Sequence, residues 1–110
     1  MIQLEASGRR VMLTALRNAA AQVALRVGDA EPVNERYTRV SCSAWDVTDD
    51  QLIGAECAFM FSGPVGMITG YEVLDADGQT LFSEAFAKPY DFSEYGGRLR
   101  VVPIITLTNQ

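Results

Sequence analysis

The side chains with the most scope for chemistry are carboxylates, 14 in a chain of 110 residues, and two close pairs stand out: Asp75 with Asp77, and Asp91 with Glu94. Paired carboxylates can divide acid and base roles, as in glycoside hydrolysis, when burial keeps one of them protonated. Both pairs fall in stretches that read as turns, where Asp accepts backbone N–H groups and stays solvated, so neither is expected to carry the raised pKa of a general acid. Asp75-Ala76-Asp77-Gly78 also opens like a calcium loop, yet the position for the closing bidentate Glu holds Phe86. Gly28-Asp29 has no further carboxylates at ligand spacing and reads as a turn. Histidine is absent, which removes the usual general base, the usual partner of a nucleophilic Ser or Cys, and the commonest transition-metal ligand together. The two cysteines, Cys42 and Cys57, have no second pair to complete a zinc site. A tight turn at Asp49-Asp50 would set them opposite each other on paired strands, which leaves a disulfide geometrically open. Two small half-buried free thiols in a reducing compartment are the preferred reading. No Gly-rich phosphate loop ending in Lys-Ser or Lys-Thr occurs, and no GxGxxG opens a helix. The chain is therefore expected not to be an enzyme and to use no metal and no cofactor.

Aromatic side chains are the next candidates, as contact residues. In residues 37–47 a period of two sets Tyr37, Arg39, Ser41, Ser43 and Trp45 on one side and Thr38, Val40, Cys42 and Ala44 on the other. The smaller apolar set is expected to face the core. That leaves Tyr37 and Trp45, the only tryptophan, on the opposite face, as a second packing layer or as an interface. Tyr90, Phe92 and Tyr95 fall in a loop, residues 88–97, rich in aromatic and turn residues. These five are the candidate interface.

The elements that must position them follow from periodicity. Residues 67–86 make the clearest local structure, a β-hairpin reversing at Asp77-Gly78, with Tyr71 and Val73 pointing one way and Glu72 and Leu74 the other. Residues 1–6 read as an arm or edge strand. A helix is expected over residues 7–21, with Ser7 as N-cap and Val11, Met12, Ala15, Leu16 and Ala19 as the stripe packed on a sheet. Arg9, Arg10, Thr14, Arg17 and Asn18 then lie on its solvated side. Strands over 23–108 complete the chain: one with Val23, Leu25 and Val27 alternating, ended by an exposed acidic loop at 28–32; a largely apolar segment at 52–61 with Gly54 as a bulge; and a last strand at 98–108 that Pro103 places at an edge or bulges in its middle. The expected fold is mainly β, a small antiparallel β-sandwich with one N-terminal α-helix packed on it, in a single domain. The net charge of −5 and the lack of a basic cluster argue against a nucleic-acid surface. No stretch reads as a leader or is long enough to span a bilayer. Synthesis and retention on the cytosolic side, with no membrane partner, are therefore expected.

In this order of elements the chain resembles a family of small bacteriophage virion proteins of the tail-fibre-like, minor tail or decoration type. The likeness runs through the N-terminal helix segment GRRVMLTALRNAAAQVAL, the Gly-Asp loop in LRVGDAEP, the Tyr-x-Arg strand at Glu35-Arg36-Tyr37-Thr38-Arg39-Val40, and Trp45. It continues through Ala58-Phe59-Met60-Phe61, the hairpin ITGYEVLDADGQTLFSEAF and Tyr95-Gly96-Gly97-Arg98-Leu99-Arg100-Val101. The resemblance implies a virion accessory component, made in the cytoplasm of a bacterial host and placed on the capsid as decoration or cement, or at the tail or collar. Its partners would be other virion proteins, with the chain itself in a homo-oligomer or array. The expectation from another class is a free-standing β-sandwich module presenting residues 28–34 and 88–97 to a glycan or peptide. A third, a small enzyme using the paired carboxylates, comes last.

Overall fold

The computed structural model describes residues 2–32, 36–42 and 45–107. It is mainly β, an antiparallel β-sandwich with one N-terminal helix. Helix α1 (Ala6–Ala19) is followed by strands β1 (Gln22–Arg26), β2 (Val40–Ser41), β3 (Asp46–Val47), β4 (Gln51–Ile53), β5 (Cys57–Phe61), β6 (Gly66–Leu74), β7 (Thr80–Phe92), β8 (Gly97–Val101) and β9 (Ile104–Thr106). One sheet has the order β2-β1-β6-β7, a second β3-β4-β9, and β5 pairs with β8.

The core lies between the first sheet and the β5–β8 pair. Val23 and Leu25 of β1 stand beside Val73 and Tyr71 of β6, and all four are buried. Cys57, Phe59 and Phe61 of β5 and Leu99 and Val101 of β8 belong to the same cluster. In β5 the alternation is complete, with Ala58 and Met60 exposed between the buried residues, as a half-covered strand requires. Burying one side chain of the size of Phe59 or Tyr71 stabilises the fold by roughly 1.5–3 kcal/mol. These residues dominate the energetics.

The hairpin reverses where the sequence places it. Asp75 Oδ1 accepts the N–H groups of Asp77 and Gln79, each at 2.9 Å, and Gly78 takes a φ of 82°, which a side chain would disfavour. Two other segments divide where a single strand is expected. Val40–Ser41 and Asp46–Val47 stand where one strand over 37–47 is expected: the first pairs with β1 and the second with β4, while Tyr37 precedes both with its ring in the core. The last segment breaks at Val102 and Pro103, so β8 pairs with β5 while β9 pairs with β4. Pro103 is buried, and its carbonyl accepts the Gly54 N–H at 2.8 Å. Residues 43, 44 and 108 of the expected strands lie outside the described residues.

The helix departs most from expectation. It starts at Ala6 with Glu5 as N-cap and no side-chain cap, so Ser7 lies inside the first turn. Of the stripe expected to pack, all but Leu16 is turned outward: Val11 is 69 % exposed, Met12 48 %, and Ala15 and Ala19 are exposed too. Leu13 is the helix's buried residue, with Arg9 and Leu16 half-buried on the same side. At the surface beside the β3–β4 turn, Arg9 Nε reaches Asp49 O at 3.1 Å and Arg10 pairs with the Asp49 carboxylate at 2.7 Å, which accompanies the burial of Leu13. Arginines read as solvated thus dock the helix on β3 and β4.

Candidate interaction surface

The residues expected to form a contact surface part company in the structure. Tyr37 is 6 % exposed and stacks on Phe59 with ring centroids 6.2 Å apart, which makes it a core residue. Trp45 is half-buried against the same cluster. Its ring occupies the space beside Gly54, where a Cβ would stand 2.8 Å from Trp45 Cζ3. Gly54 is therefore the cradle of that indole, not a bulge. Tyr90, Phe92 and Tyr95 remain together at the other end of the chain, but Tyr90 and Phe92 belong to β7, not to a loop.

Strand β7 is the edge of the four-stranded sheet: it pairs with β6 on one side, and its other side is unoccupied by any described strand. None of its residues is buried. Its register against β6 has three parts. Thr80 pairs with Leu74, residues 82–85 pair with residues 70–73 and Tyr90 to Phe92 pair with Gly66 to Ile68; Leu81 is passed over at the first shift, and residues 86–89 stand opposite Thr69 alone at the second. Pro89, which has no N–H to give a ladder, sits in this bulge. At its start Gly70 is buried so close to the neighbouring strand that a Cβ there would run into the Glu84 carbonyl oxygen. Within the bulge Phe86 folds back onto Tyr71 (6.1 Å between centroids) and meets Tyr90 edge-on (5.2 Å).

Beyond the bulge, Phe92 packs edge-to-face on Phe61 at 4.8 Å and its carbonyl accepts the Val65 N–H at 2.9 Å. Asp91 Oδ1 accepts the Ser93 N–H at 2.9 Å, and contacts from the Ser93 hydroxyl and amide hold the Asp91 carboxyl below its ordinary range. Tyr95 is 76 % exposed and Tyr90 47 %. Asp91, Phe92, Glu94, Tyr95 and Gly96 line an open cleft of about 310 Å³. Asp91 and Glu94 are thus brought to one cleft, whereas Asp75 is taken up by its turn. No cluster of potential metal-binding residues occurs among the described residues.

Cys42 and Cys57 are free thiols on strand segments that do not pair with each other: β5 pairs with β8 and β2 with β1. Burial pushes the Cys42 thiol up to about 11 and raises Cys57 as well, so both stay protonated and unreactive near neutrality.

One polar cluster escaped the sequence reading. Glu31, expected in an exposed loop, turns inward. Its carboxylate takes two bonds from the Arg39 guanidinium, at 2.5 and 3.1 Å, and a third from the Tyr37 hydroxyl. Arg39 holds the Glu31 carboxyl below the usual range, and burial, helped by Glu31, raises the Tyr37 phenol far above its own. Gln22, Glu31, Tyr37, Thr38 and Arg39 line a shallow opening here. The Tyr37 oxygen also accepts the Leu25 N–H at 3.4 Å, so Glu31 supplies the acceptor that the phenol's own O–H needs. The cluster's only signal in the sequence is the Tyr-x-Arg spacing.

The β-sandwich contains no helix long and apolar enough to cross a membrane among the described residues. Comparison with protein-family models, with curated proteins and with solved structures finds no match to this chain.

Proposed function

We propose that the protein is a bacteriophage virion accessory component, a capsid decoration or cement protein or a tail- or collar-associated one, acting through protein–protein contacts in a symmetric assembly. The observation that supports this reading is strand β7, a long edge strand without a buried residue. An open edge presents N–H and C=O groups in a row, which is a template for a further strand. Exposed apolar side chains on other elements, Met60 (65 %) and Val102 (45 %) among them, supply additional contact area of the kind arrayed proteins use. Antibody-gold labelling of purified phage particles tests the reading. Label over the capsid or at the neck and tail supports it, and particles lacking the protein sink it.

A second reading, a module that binds a glycan or peptide, is favoured by the cleft at Asp91 and Glu94 with Tyr95 beside it. Planar sugar faces stack on exposed rings while carboxylates accept their hydroxyls. Glycan-array binding that disappears in Tyr95→Ala would establish it. Binding unchanged in both Tyr90→Ala and Tyr95→Ala would remove the cleft from consideration.

A further inference from the structure

Resting on the assembly reading above, we infer that the outer face of the β5–β8 pair docks the Asp91–Glu94 cleft of a second copy, in a head-to-tail contact that repeats from chain to chain. Residues directly opposite each other in an antiparallel pair stand on one face of the sheet. With Phe59 and Leu99 in the core, the register places Met60 beside Arg98 and Ala58 beside Arg100 on the outside. All four are exposed. Arg100 is shared with Glu56 at 3.4 Å, whereas Arg98 has no carboxylate partner among the described residues. The face is an exposed thioether between two guanidinium groups, and one of those still seeks an anion.

The cleft offers the complement. Asp91 and Glu94 have no cationic partner among the described residues, and Tyr95 stands exposed beside them. Two carboxylates with an exposed ring suit two guanidinium groups with an exposed thioether: the charges attract, and sulfur packs favourably against an aromatic edge. One molecule cannot make this match within itself. Phe92 turns inward onto Phe61, so its neighbour Asp91, opposite the exposed Met67, faces away from β5. Arg98 faces away from β6, on the other side of the sandwich. Every copy thus carries both halves of the match on different surfaces, and a second copy brings to each face the chemistry it lacks. A contact between two unlike faces leaves one of each free at its ends, so it propagates into a ring or a line and does not stop at a dimer.

Sedimentation velocity of the full chain over a wide concentration range, at low and high salt, tests this together with Arg98→Glu and Glu94→Arg, both at exposed positions. The expected result is association that grows past a dimer and weakens as salt rises. Each variant should lose about tenfold in association, since each sets like charges together. Mixing the two variants in equal amounts should recover most of that loss, because each supplies the charge that the other's altered face now requires. A chain that stays monomeric throughout overturns the inference. So does association that stops at a dimer, ignores both reversals or is not recovered on mixing. Any of these failures leaves the virion reading standing if particles carry label; recovered association with unlabelled particles leaves the contact standing and removes the virion.

Discussion

The two strands of the β6–β7 hairpin are joined by one turn and hydrogen-bonded along most of their length, yet they meet different surroundings. In β6, Ile68, Tyr71, Val73 and Leu74 are buried, while no residue of β7 is. The difference is one of position in the sheet: β6 has β1 on its far side and β7 has no described strand there. A strand's hydrophobicity reports what covers it, and cover comes from elements distant in sequence. Phe82, Phe86 and Phe92 are as apolar as anything in β6, but each sits at the rim of the core.

The contrast can be broken most severely at Gly70. A valine there has to displace the Glu84 carbonyl from the β6–β7 ladder, and Gly70→Val should cost on the order of 3 kcal/mol or more in urea unfolding. A variant as stable as the parent would show that the close approach of the two strands is not required.

A smaller effect is expected at Tyr71, whose hydroxyl accepts the Ile104 N–H at 3.3 Å. Tyr71→Phe keeps the ring and leaves that N–H without its acceptor, for a loss of about 1–2 kcal/mol. Burial pushes the Tyr71 phenol up to about 12, above the value of about 10 expected in the unfolded chain. Between those values the unfolded state has released the proton and the folded state still holds it. Stability is therefore fully present below pH about 10 and falls as the pH rises toward 12. The fall should be shallower in Tyr71→Phe, with a remainder due to Tyr37. Equal slopes for parent and variant would exclude Tyr71 as a source. Ultraviolet titration of tyrosinate, followed alongside unfolding, reads both.

The smallest effect belongs to β7. Ala87→Ser, exposed in the bulge, should change stability by less than about 0.5 kcal/mol. A loss comparable to that of Tyr71→Phe would mean that the bulge is held by contacts as strict as those of β6.

What the sequence disclosed follows the same division. The hairpin turn and the break after Phe61 were legible because each is decided by neighbours along the chain: Asp75 caps its own turn, and Ser62-Gly63-Pro64 ends a strand locally. β1 was legible as a strand but not as half-buried, since Ala24, expected on its open face, is as buried as Val23 and Leu25. The helix was legible as a helix but not in its orientation, since Val11, Met12, Ala15 and Ala19 form as good a stripe as Leu13 and Leu16. What chooses between them lies far along the chain, in β3 and β4, against which Leu13 is buried and beside which Arg9 and Arg10 meet Asp49. Tyr37 and Trp45 were assigned by a strict alternation that the backbone abandons. Glu31 was placed in solvent because acidic residues beside Gly and Pro usually are, and only the folded chain shows Arg39 and Tyr37 converging on it. Of the candidate surface, the aromatic residues were found and the strand that carries two of them was not, because Pro89 and Lys88 look like the end of a strand and are instead its bulge.

The pairing of β1 with β6 has a consequence for how the chain is made. Gln22 to Arg26 find their antiparallel partners at Gly70 to Leu74, so more than a third of the polypeptide must be synthesised before Val23 and Leu25 are covered. Among the described strands, the short β2 is the neighbour of β1 that is made before β6. The β6–β7 hairpin closes a much smaller loop than the one that brings β1 to β6. The nascent chain thus carries an uncovered apolar strand until its own centre emerges from the ribosome, and that is the stage at which a chaperone would engage it.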